Sequence, residues 1–354
     1  MNSDEIRISD ACDSDLKHRR RGDGKDMFKQ LSRQLLFPAL IALASTAWPS
    51  TERLLEIDRC NGNVISSEGR SVRYFADHGL AEKDAKAQFA VVIVHGVSGG
   101  TRDASQVLRR ILADHPLSTN VFFVAPCFPV RSMLNAAEQK RIVYWDENRW
   151  QAGNDSPVAR NLSPYDVLDF IFNHLNDNRN YPNLKRVIFC GYSAGAQVVS
   201  RYMAVSRIKA RAGLSVDFAA GAPSSWLFLD NRVKWHYGLS SRCRYAEKIQ
   251  EESILENIKK RHLLCFCGTK DTGDKNLSTN PRAIAQGANR YERFKNFRKH
   301  ISAITNLKDS FDFVEVDNAG HSSSCWRGMN LGQLVFGQCG DNNGKAQPSG
   351  ALPF

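Results

Sequence analysis

From residue 70 onward, short apolar runs that end in glycine or polar residues alternate with longer segments in which apolar residues recur at helical spacing. Runs such as Val91–Val94 are apolar at every position, which is typical of strands in a sheet that is covered on both faces. The pattern predicts strands at Val72–Phe75, Ala90–Val94, Val121–Ala125, Arg186–Cys190, Val216–Ala219, Leu263–Cys267 and Phe313–Val316.

The segments between these strands carry helical stripes. One stripe lies within residues 107–112, and another recurs at i, i+3, i+4 and i+7 through Leu168, Ile171, Phe172 and Leu175. Strands that alternate with helices predict an α/β fold with a mostly parallel, doubly wound sheet flanked by helices. Residues 130–163 and 224–260 are longer, and we expect them to form excursions above the C-terminal edge of the sheet.

The N-terminal part of the chain has a different character. Residues 1–26 are polar and rich in charge, and the basic stretch Met27–Arg33 precedes the apolar run Leu35–Ala44 and a few small residues. This succession is typical of a secretory signal peptide. We therefore predict a charged leader plus signal peptide over 1–47, with Met27 as a second candidate for the true start, and a periplasmic or secreted protein. The alternatives are a buried or amphipathic helix, or an uncleaved anchor, and a cytoplasmic location.

The rest of the chain is predicted to contain a linker at 48–69, one large domain at 70–335 and a flexible tail at 336–354. Apolar residues make up 42% of the chain and aromatic residues 10%, which excludes a wholly disordered or fibrous protein. No apolar run reaches the roughly 18 residues that a membrane-spanning helix requires. We therefore expect no stable transmembrane span.

The charge and the cysteine content of the chain bear on which binding partners and metal sites are expected. The formal charge is +11, from 48 Lys and Arg against 37 Asp and Glu, but the chain has no zinc-finger spacing, RNP motif or long Lys/Arg tract. Nucleic acid is therefore not expected as a partner. Cys265 and Cys267 are not spaced as CxxC, so no metal site is expected. Cysteines in the predicted strands should act as small hydrophobes, and Cys325 with Cys339 is the disulfide to test first.

The motif that carries chemistry is Gly191-Tyr192-Ser193-Ala194-Gly195, which matches G-x-S-x-G. A predicted strand ends directly before it, and Ala196–Met203 is a plausible helix directly after it. A serine on a sharp turn from strand to helix needs small neighbours, and the turn exposes its hydroxyl at the edge of the sheet. We therefore predict Ser193 as a catalytic nucleophile.

A serine nucleophile needs a base and a group that orients the base. His321 follows the last predicted strand in a loop of small residues, and we choose it over His236, His262 and His300. Asp271 follows the strand Leu263–Cys267, at the edge where such sheets present functional groups. The alternatives for the acid are Asp274 and Asp230, and Asp271 also suits a plain turn position.

The oxyanion hole requires two backbone N–H donors. We predict that they come from Ala194, directly after the nucleophile, and from Val97, in the glycine-containing loop after Val91–Val94. His95, in the same loop, is predicted to brace the loop. Trp145 and Trp150 in the first excursion, with Tyr192, are predicted to line the substrate pocket, unless the two tryptophans pack the excursion onto the core.

The elbow, His95-Gly96, the turn Gly268–Asp271 and Gly320-His321 together resemble the α/β-hydrolase superfamily over residues 70–330. Segments at 191–197 with 201–202, 222–228, 276–277 and 285–290 are similar to a little-characterised group of bacterial and fungal hydrolases, whose elbow is usually G-H-S-A-G-G-Q. This chain has Tyr192 and Ala196 in place of the His and the last Gly of that elbow, and Asp103 in place of an Asn. The resemblance implies the α/β-hydrolase fold and serine hydrolase chemistry.

These residues predict a serine hydrolase that cleaves carboxylic esters through the Ser193, His321 and Asp271 triad and an acyl-enzyme. The substrate would be a small-molecule or lipid-like ester, and neither a metal nor an organic cofactor is implied. A peptidase, amidase or acyltransferase uses the same triad and is one alternative. A non-catalytic binding protein with this fold is the other. Nothing in the sequence predicts an oligomeric state.

Overall fold

The computed structural model of the chain describes residues 63–65, 70–329 and 331–337, and the first three of these through their backbone alone. The predicted leader, signal peptide and second start at Met27 lie outside the described residues, as do most of the linker and of the tail. The boundaries proposed for these segments stay predictions.

Eight strands form one sheet in the order β1-β2-β4-β3-β5-β6-β7-β8. β2 runs antiparallel to both of its neighbours, β1 and β4, and all other pairs in the sheet are parallel. The strands are β1 Asn63–Ile65, β2 Ser71–Ala76, β3 Phe89–Val94, β4 Val121–Pro126, β5 Arg186–Tyr192, β6 Ser215–Gly221, β7 His262–Gly268 and β8 Phe311–Val316. All seven predicted strands are confirmed, and so is the mostly parallel α/β sheet. β1 was not predicted and lies in the segment assigned to the linker.

Ten α-helices are described: α1 Thr101–Leu112, α2 Ala136–Arg141, α3 Pro164–Leu175, α4 Ala194–Val205, α5 Arg244–Glu247, α6 Glu251–Lys259, α7 Pro281–Ile284, α8 Arg290–Ser302, α9 Ser324–Gly328 and α10 Leu331–Phe336. Local sequence accounts for α3 in particular. Ser163 and Asp166 form a capping box at its start, and Pro164 occupies the first helical position, where a missing N–H costs nothing.

The core lies on both faces of the sheet, as the continuous apolar runs predict. In β3, Val92 and Val94 belong to the cluster on one face, whereas Val91 and Ile93 belong to the cluster on the other. α1 buries Leu108 and Leu112 in the second cluster, while α3 and α4 pack on the first. β3 has β4 on one side and β5 on the other, so the order of winding reverses there. Such a reversal opens a crevice at the carboxyl ends of these strands.

No helix in the described part of the chain is long and apolar enough to cross a membrane.

Candidate active site

The predicted elbow is present at the end of β5. Ser193 joins β5 to α4 with φ 56° and ψ −116°, a left-handed conformation that costs energy for any residue with a side chain. The residues two positions before and after it must be glycine, because a Cβ on Gly195 would lie 2.0 Å from the Val94 carbonyl oxygen and one on Gly191 would lie 2.4 Å from the Gly195 carbonyl carbon. The Ser193 N–H donates to the Gly221 carbonyl at 2.8 Å, which ties the turn to β6.

Ser193 is 9% exposed and lies at the N-terminus of the 12-residue helix α4. The N-terminus of a helix carries a partial positive charge, which favours negative charge that develops next to it. The Ser193 hydroxyl makes no hydrogen bond with any residue that the structure describes. It is therefore not held in a structural hydrogen bond that would compete with a reaction.

The structure brings Asp271 and His321 together. Asp271 follows β7 in a turn in which its N–H donates to the Gly268 carbonyl at 3.0 Å, and its side chain is almost fully buried. His321 follows β8, and its Nδ1 lies 2.7 Å from Asp271 Oδ2. The turn and the His321 loop are closely packed, because a Cβ on Gly268 would lie 2.1 Å from the Ala319 carbonyl oxygen.

The two alternative acids are elsewhere. Asp274 is exposed to solvent, and Asp230 pairs with Arg232 at 2.8 Å. Hydrogen bonds from Arg232 lower the Asp230 pKa to about 2. Neither carboxylate contacts His321 in the described part of the chain.

His321 lies next to the elbow. The rings of Tyr192 and His321 are stacked with centroids 5.0 Å apart, and Tyr192 directly precedes Ser193. The Tyr192 hydroxyl donates to Cys325 Sγ at 3.3 Å, which fixes the ring. No hydrogen bond joins Ser193 to His321 within the described residues, so the contact between the elbow and the imidazole is made through the Tyr192 ring.

A buried arginine stands behind Asp271. Arg290 Nη1 lies 3.7 Å from Asp271 Oδ1, and both side chains are 1% exposed. The other terminal nitrogen of Arg290 donates to the carbonyls of Lys275 and Asn276. Burial lowers the Arg290 pKa, while the Asp271 charge acts to raise it. The sequence indicated Arg290 only as part of a matching segment and assigned it no role.

The loop after β3 lies against the elbow, since a Cβ on Gly96 would lie 3.9 Å from the Tyr192 carbonyl oxygen. The N–H groups of Val97 and Ala194 have no backbone acceptor within the described residues. His95 is buried and accepts a hydrogen bond at Nε2 from the Phe128 N–H, at 2.8 Å. Nδ1 therefore carries the proton and donates to the Gly96 carbonyl at 2.6 Å. Burial lowers the His95 pKa to about 4, so a neutral imidazole braces the loop, in agreement with the prediction.

The prediction that Trp145 and Trp150 line the substrate pocket is wrong. They are 0% and 1% exposed, and their rings pack against Phe128 and His95. They attach the first excursion to the core, as the alternative held, because large aromatic rings bury more apolar area there than in an open pocket. Tyr192 is partly buried, and its ring supports His321.

One large groove lies apart from this cluster. A groove of about 1130 Å³ opens at the N-terminal ends of β6 and β7, and none of Ser193, Asp271 and His321 lines it. Cys325 has a free thiol, and Cys339 lies outside the described residues. Among residues 70–329 and 331–337, no three or more His, Cys, Asp or Glu residues are grouped so that they could hold a metal ion.

No protein-family model matches the chain, and no curated protein matches it. Solved structures do match. LpqC, a poly(3-hydroxybutyrate) depolymerase from Bordetella parapertussis, is 18% identical over 77% of this chain and 85% of its own, with a TM-score of 0.56. Poly(aspartic acid) hydrolase-1 from Sphingomonas sp. KT-1 is 18% identical over 75% of this chain and 93% of its own, with a TM-score of 0.54. The chain has the α/β-hydrolase fold that the sequence resemblance implied.

Proposed function

We propose that this chain is a serine hydrolase that cleaves carboxylic esters through a covalent acyl-enzyme. The observation that carries the proposal is the hydrogen bond between Asp271 and His321, beside a serine held at positive φ between a strand and a helix. A strained serine and an oriented imidazole are costly to maintain, and they are what nucleophilic catalysis by a hydroxyl requires.

In the proposed reaction, Ser193 Oγ attacks the ester carbonyl carbon while His321 Nε2 takes its proton. The Nδ1–H bond to Asp271 leaves Nε2 unprotonated and able to accept that proton. The tetrahedral intermediate collapses as His321 gives the proton to the leaving alcohol. Water then attacks the acyl-enzyme with the same base, releases the acid and restores the Ser193 hydroxyl.

The N–H groups of Ala194 and Val97 are our candidates for the oxyanion hole. Ala194 begins α4, so its N–H has no acceptor within the helix. Two donors aimed at the developing oxyanion typically lower the barrier by several kcal/mol in such sites, at about 3 kcal/mol each.

Amide cleavage and acyl transfer stay as alternatives, because the same triad serves all three reactions. One structural neighbour is named for a polyester and the other for an amide-linked polymer. Their names are therefore consistent with cleavage of an ester bond or of an amide bond. We favour esters because an alcohol leaves with less assistance from the acid than an amine does. A binding protein that has lost catalysis is a further alternative, and it gives no reason to keep Asp271 and His321 hydrogen-bonded.

The test is labelling of purified protein with a fluorophosphonate, together with hydrolysis of a p-nitrophenyl acyl series and a peptide series. We expect label and ester turnover in the wild type and in Ser302→Ala, which removes an exposed hydroxyl remote from the site. Ser193→Ala should lose both. A folded wild-type protein that takes no label and cleaves none of these compounds would refute the enzymatic proposal.

We also propose that the protein is exported. The support is the basic, apolar and small-residue succession between Met27 and Ala47. N-terminal sequencing of protein recovered from the periplasm or medium should begin after this succession. Recovery of all the protein in the cytoplasm with residue 27 still present would contradict export.

A further inference from the structure

One face of α4 carries a line of polar side chains that ends at the nucleophile. Gln197 and Arg201 follow Ser193 at intervals of four residues, and the Gln197 N–H donates to the Ser193 carbonyl at 3.3 Å. Side chains in a helix tilt toward its N-terminus, so each residue of such a series leans over the one four positions earlier. Gln197 therefore leans toward Ser193, and Arg201 leans toward Gln197.

The orientation of the Gln197 amide is fixed by its partners. Arg201 Nη2 lies 3.2 Å from Gln197 Oε1, and Ser225 Oγ donates to the same oxygen at 3.0 Å. An arginine can only donate, so the atom that faces it must be the amide oxygen. The Nε2 amino group is therefore turned away from Arg201.

That amino group has two N–H donors and no acceptor within the described part of the chain. Gln197 is 8% exposed, and Nε2 is not among the fully enclosed side-chain atoms that lack partners. Nε2 thus keeps its contact with solvent, while the rest of the side chain is buried. The Gln197 amide therefore presents only its N–H donors to solvent, on the face of α4 that leads to Ser193. Such an amide is suited to bind a molecule that carries an acceptor oxygen.

The charge behind the amide indicates which acceptor fits. Arg201 is fully buried, and its hydrogen bonds all go to neutral oxygens: the carbonyls of Gln151, Ser225 and His236, Gln197 Oε1 and Ser225 Oγ. Burial lowers the Arg201 pKa to about 10, and the neighbours that oppose this are Tyr165, Tyr237 and Cys243, none of them a carboxylate. Arg201 thus stays charged at neutral pH and has no counter-ion among the residues that the structure describes.

We propose that Gln197 is a specificity residue that binds a carboxylate of the substrate, so that the preferred substrates are esters whose acid part carries a second, free carboxylate. Gln197 Nε2 donates to that carboxylate, and the Arg201 charge strengthens the interaction through a medium that screens charge poorly. The inference rests on the proposed function, because it assumes that Ser193 is the nucleophile.

The experiment compares two esters of similar length, mono-p-nitrophenyl adipate and p-nitrophenyl heptanoate. Each rate is divided by the rate of its spontaneous reaction with hydroxide. A hydrogen bond to a charged group is worth about tenfold to a hundredfold in binding. We expect wild-type kcat/KM to favour the adipate ester by at least about tenfold, mainly through a lower KM.

Gln197→Glu keeps an oxygen facing Arg201 and Ser225 but replaces the donor pair with a second, negative oxygen. It should reduce the preference for the adipate ester by about tenfold or more. Fluorophosphonate labelling reports separately whether Ser193 is reactive. Gln250→Glu, an exposed position with the same change of charge, should keep the wild-type preference.

A wild-type protein that is labelled but shows no preference for the adipate ester overturns this inference and leaves the proposed function standing, whether or not Gln197→Glu folds. The same holds if Gln197→Glu folds, is labelled and keeps the preference. A folded wild type that is neither labelled nor active overturns the proposed function, and the inference with it.

Discussion

Asp271 Oδ2 and His321 Nδ1 lie 2.7 Å apart, although 50 residues separate them in the chain. Each residue follows the end of a neighbouring parallel strand, β7 or β8. The pairing of these strands therefore brings the two side chains to the same edge of the sheet, and the close packing of Gly268 on Ala319 sets their separation. This contact determines which imidazole nitrogen is protonated.

The first prediction concerns that contact. Asp271→Asn can no longer accept the Nδ1–H bond as a charged oxygen or stabilise the imidazolium, so kcat for ester hydrolysis should fall by about 10³- to 10⁴-fold. Asp274→Asn removes an exposed carboxylate three positions away and should leave kcat unchanged. Steady-state kinetics of both variants, with urea unfolding to verify that each is folded, make the comparison. Equal loss in the two variants would contradict the assignment of the acid.

The second prediction concerns the buried pair of Arg290 and Asp271. Arg290→Gln leaves the Asp271 carboxylate buried without its neighbouring cation, and breaking such a pair from one side costs about 3–5 kcal/mol. Arg298→Gln breaks the exposed pair with Glu315, 3.3 Å apart, and should cost no more than about 1 kcal/mol. Urea unfolding at neutral pH measures both free energies. Similar losses of unfolding free energy in the two variants would show that the buried pair contributes no more to stability than the exposed pair.

The elbow was predictable from the sequence because its determinants are local. Ser193 at positive φ requires Gly191 and Gly195 beside it, and all three stand within five residues. The strands were predictable because burial on both faces leaves a run such as Val91–Val94 with no polar position. β1 was missed because a three-residue strand is too short to show a period of two.

The buried arginines could not be predicted in the same way. Arginine is usually exposed, and nothing near Arg201 in the sequence indicates otherwise. Its acceptors come from Gln151 in the first excursion and from Ser225 and His236 in the second, both far from Arg201 in the chain. The environment of Trp150 was not predictable either, because an aromatic residue in an excursion suits both a pocket and the core. Only the three-dimensional contacts distinguish these environments.

The third prediction tests the packing of the elbow. Gly195→Ala would place a methyl group 2.0 Å from the Val94 carbonyl oxygen, where the backbone of β3 cannot yield. We expect destabilisation of more than about 4 kcal/mol, or no folded protein. Gly273→Ala adds the same methyl group where no atom lies within 4 Å, and it should retain wild-type stability. Thermal unfolding followed by circular dichroism compares them, and a normal melting temperature for Gly195→Ala would contradict the described elbow.

The fourth prediction is a pH dependence that His95 confers on stability. Burial lowers its pKa in the folded state to about 4, whereas an exposed histidine in the unfolded chain has a pKa of about 6.5. Between these values only the unfolded state takes the proton, so the stability that neutral His95 contributes is complete above about pH 6.5 and is lost as the pH falls toward 4. The shift corresponds to about 3 kcal/mol.

His95→Asn lacks this titration, so the difference in unfolding free energy between wild type and variant should shrink by about 2–3 kcal/mol from pH 7 to pH 4.5. Urea unfolding at the two pH values measures it, and a difference that stays constant would mean that His95 is not buried in its neutral form.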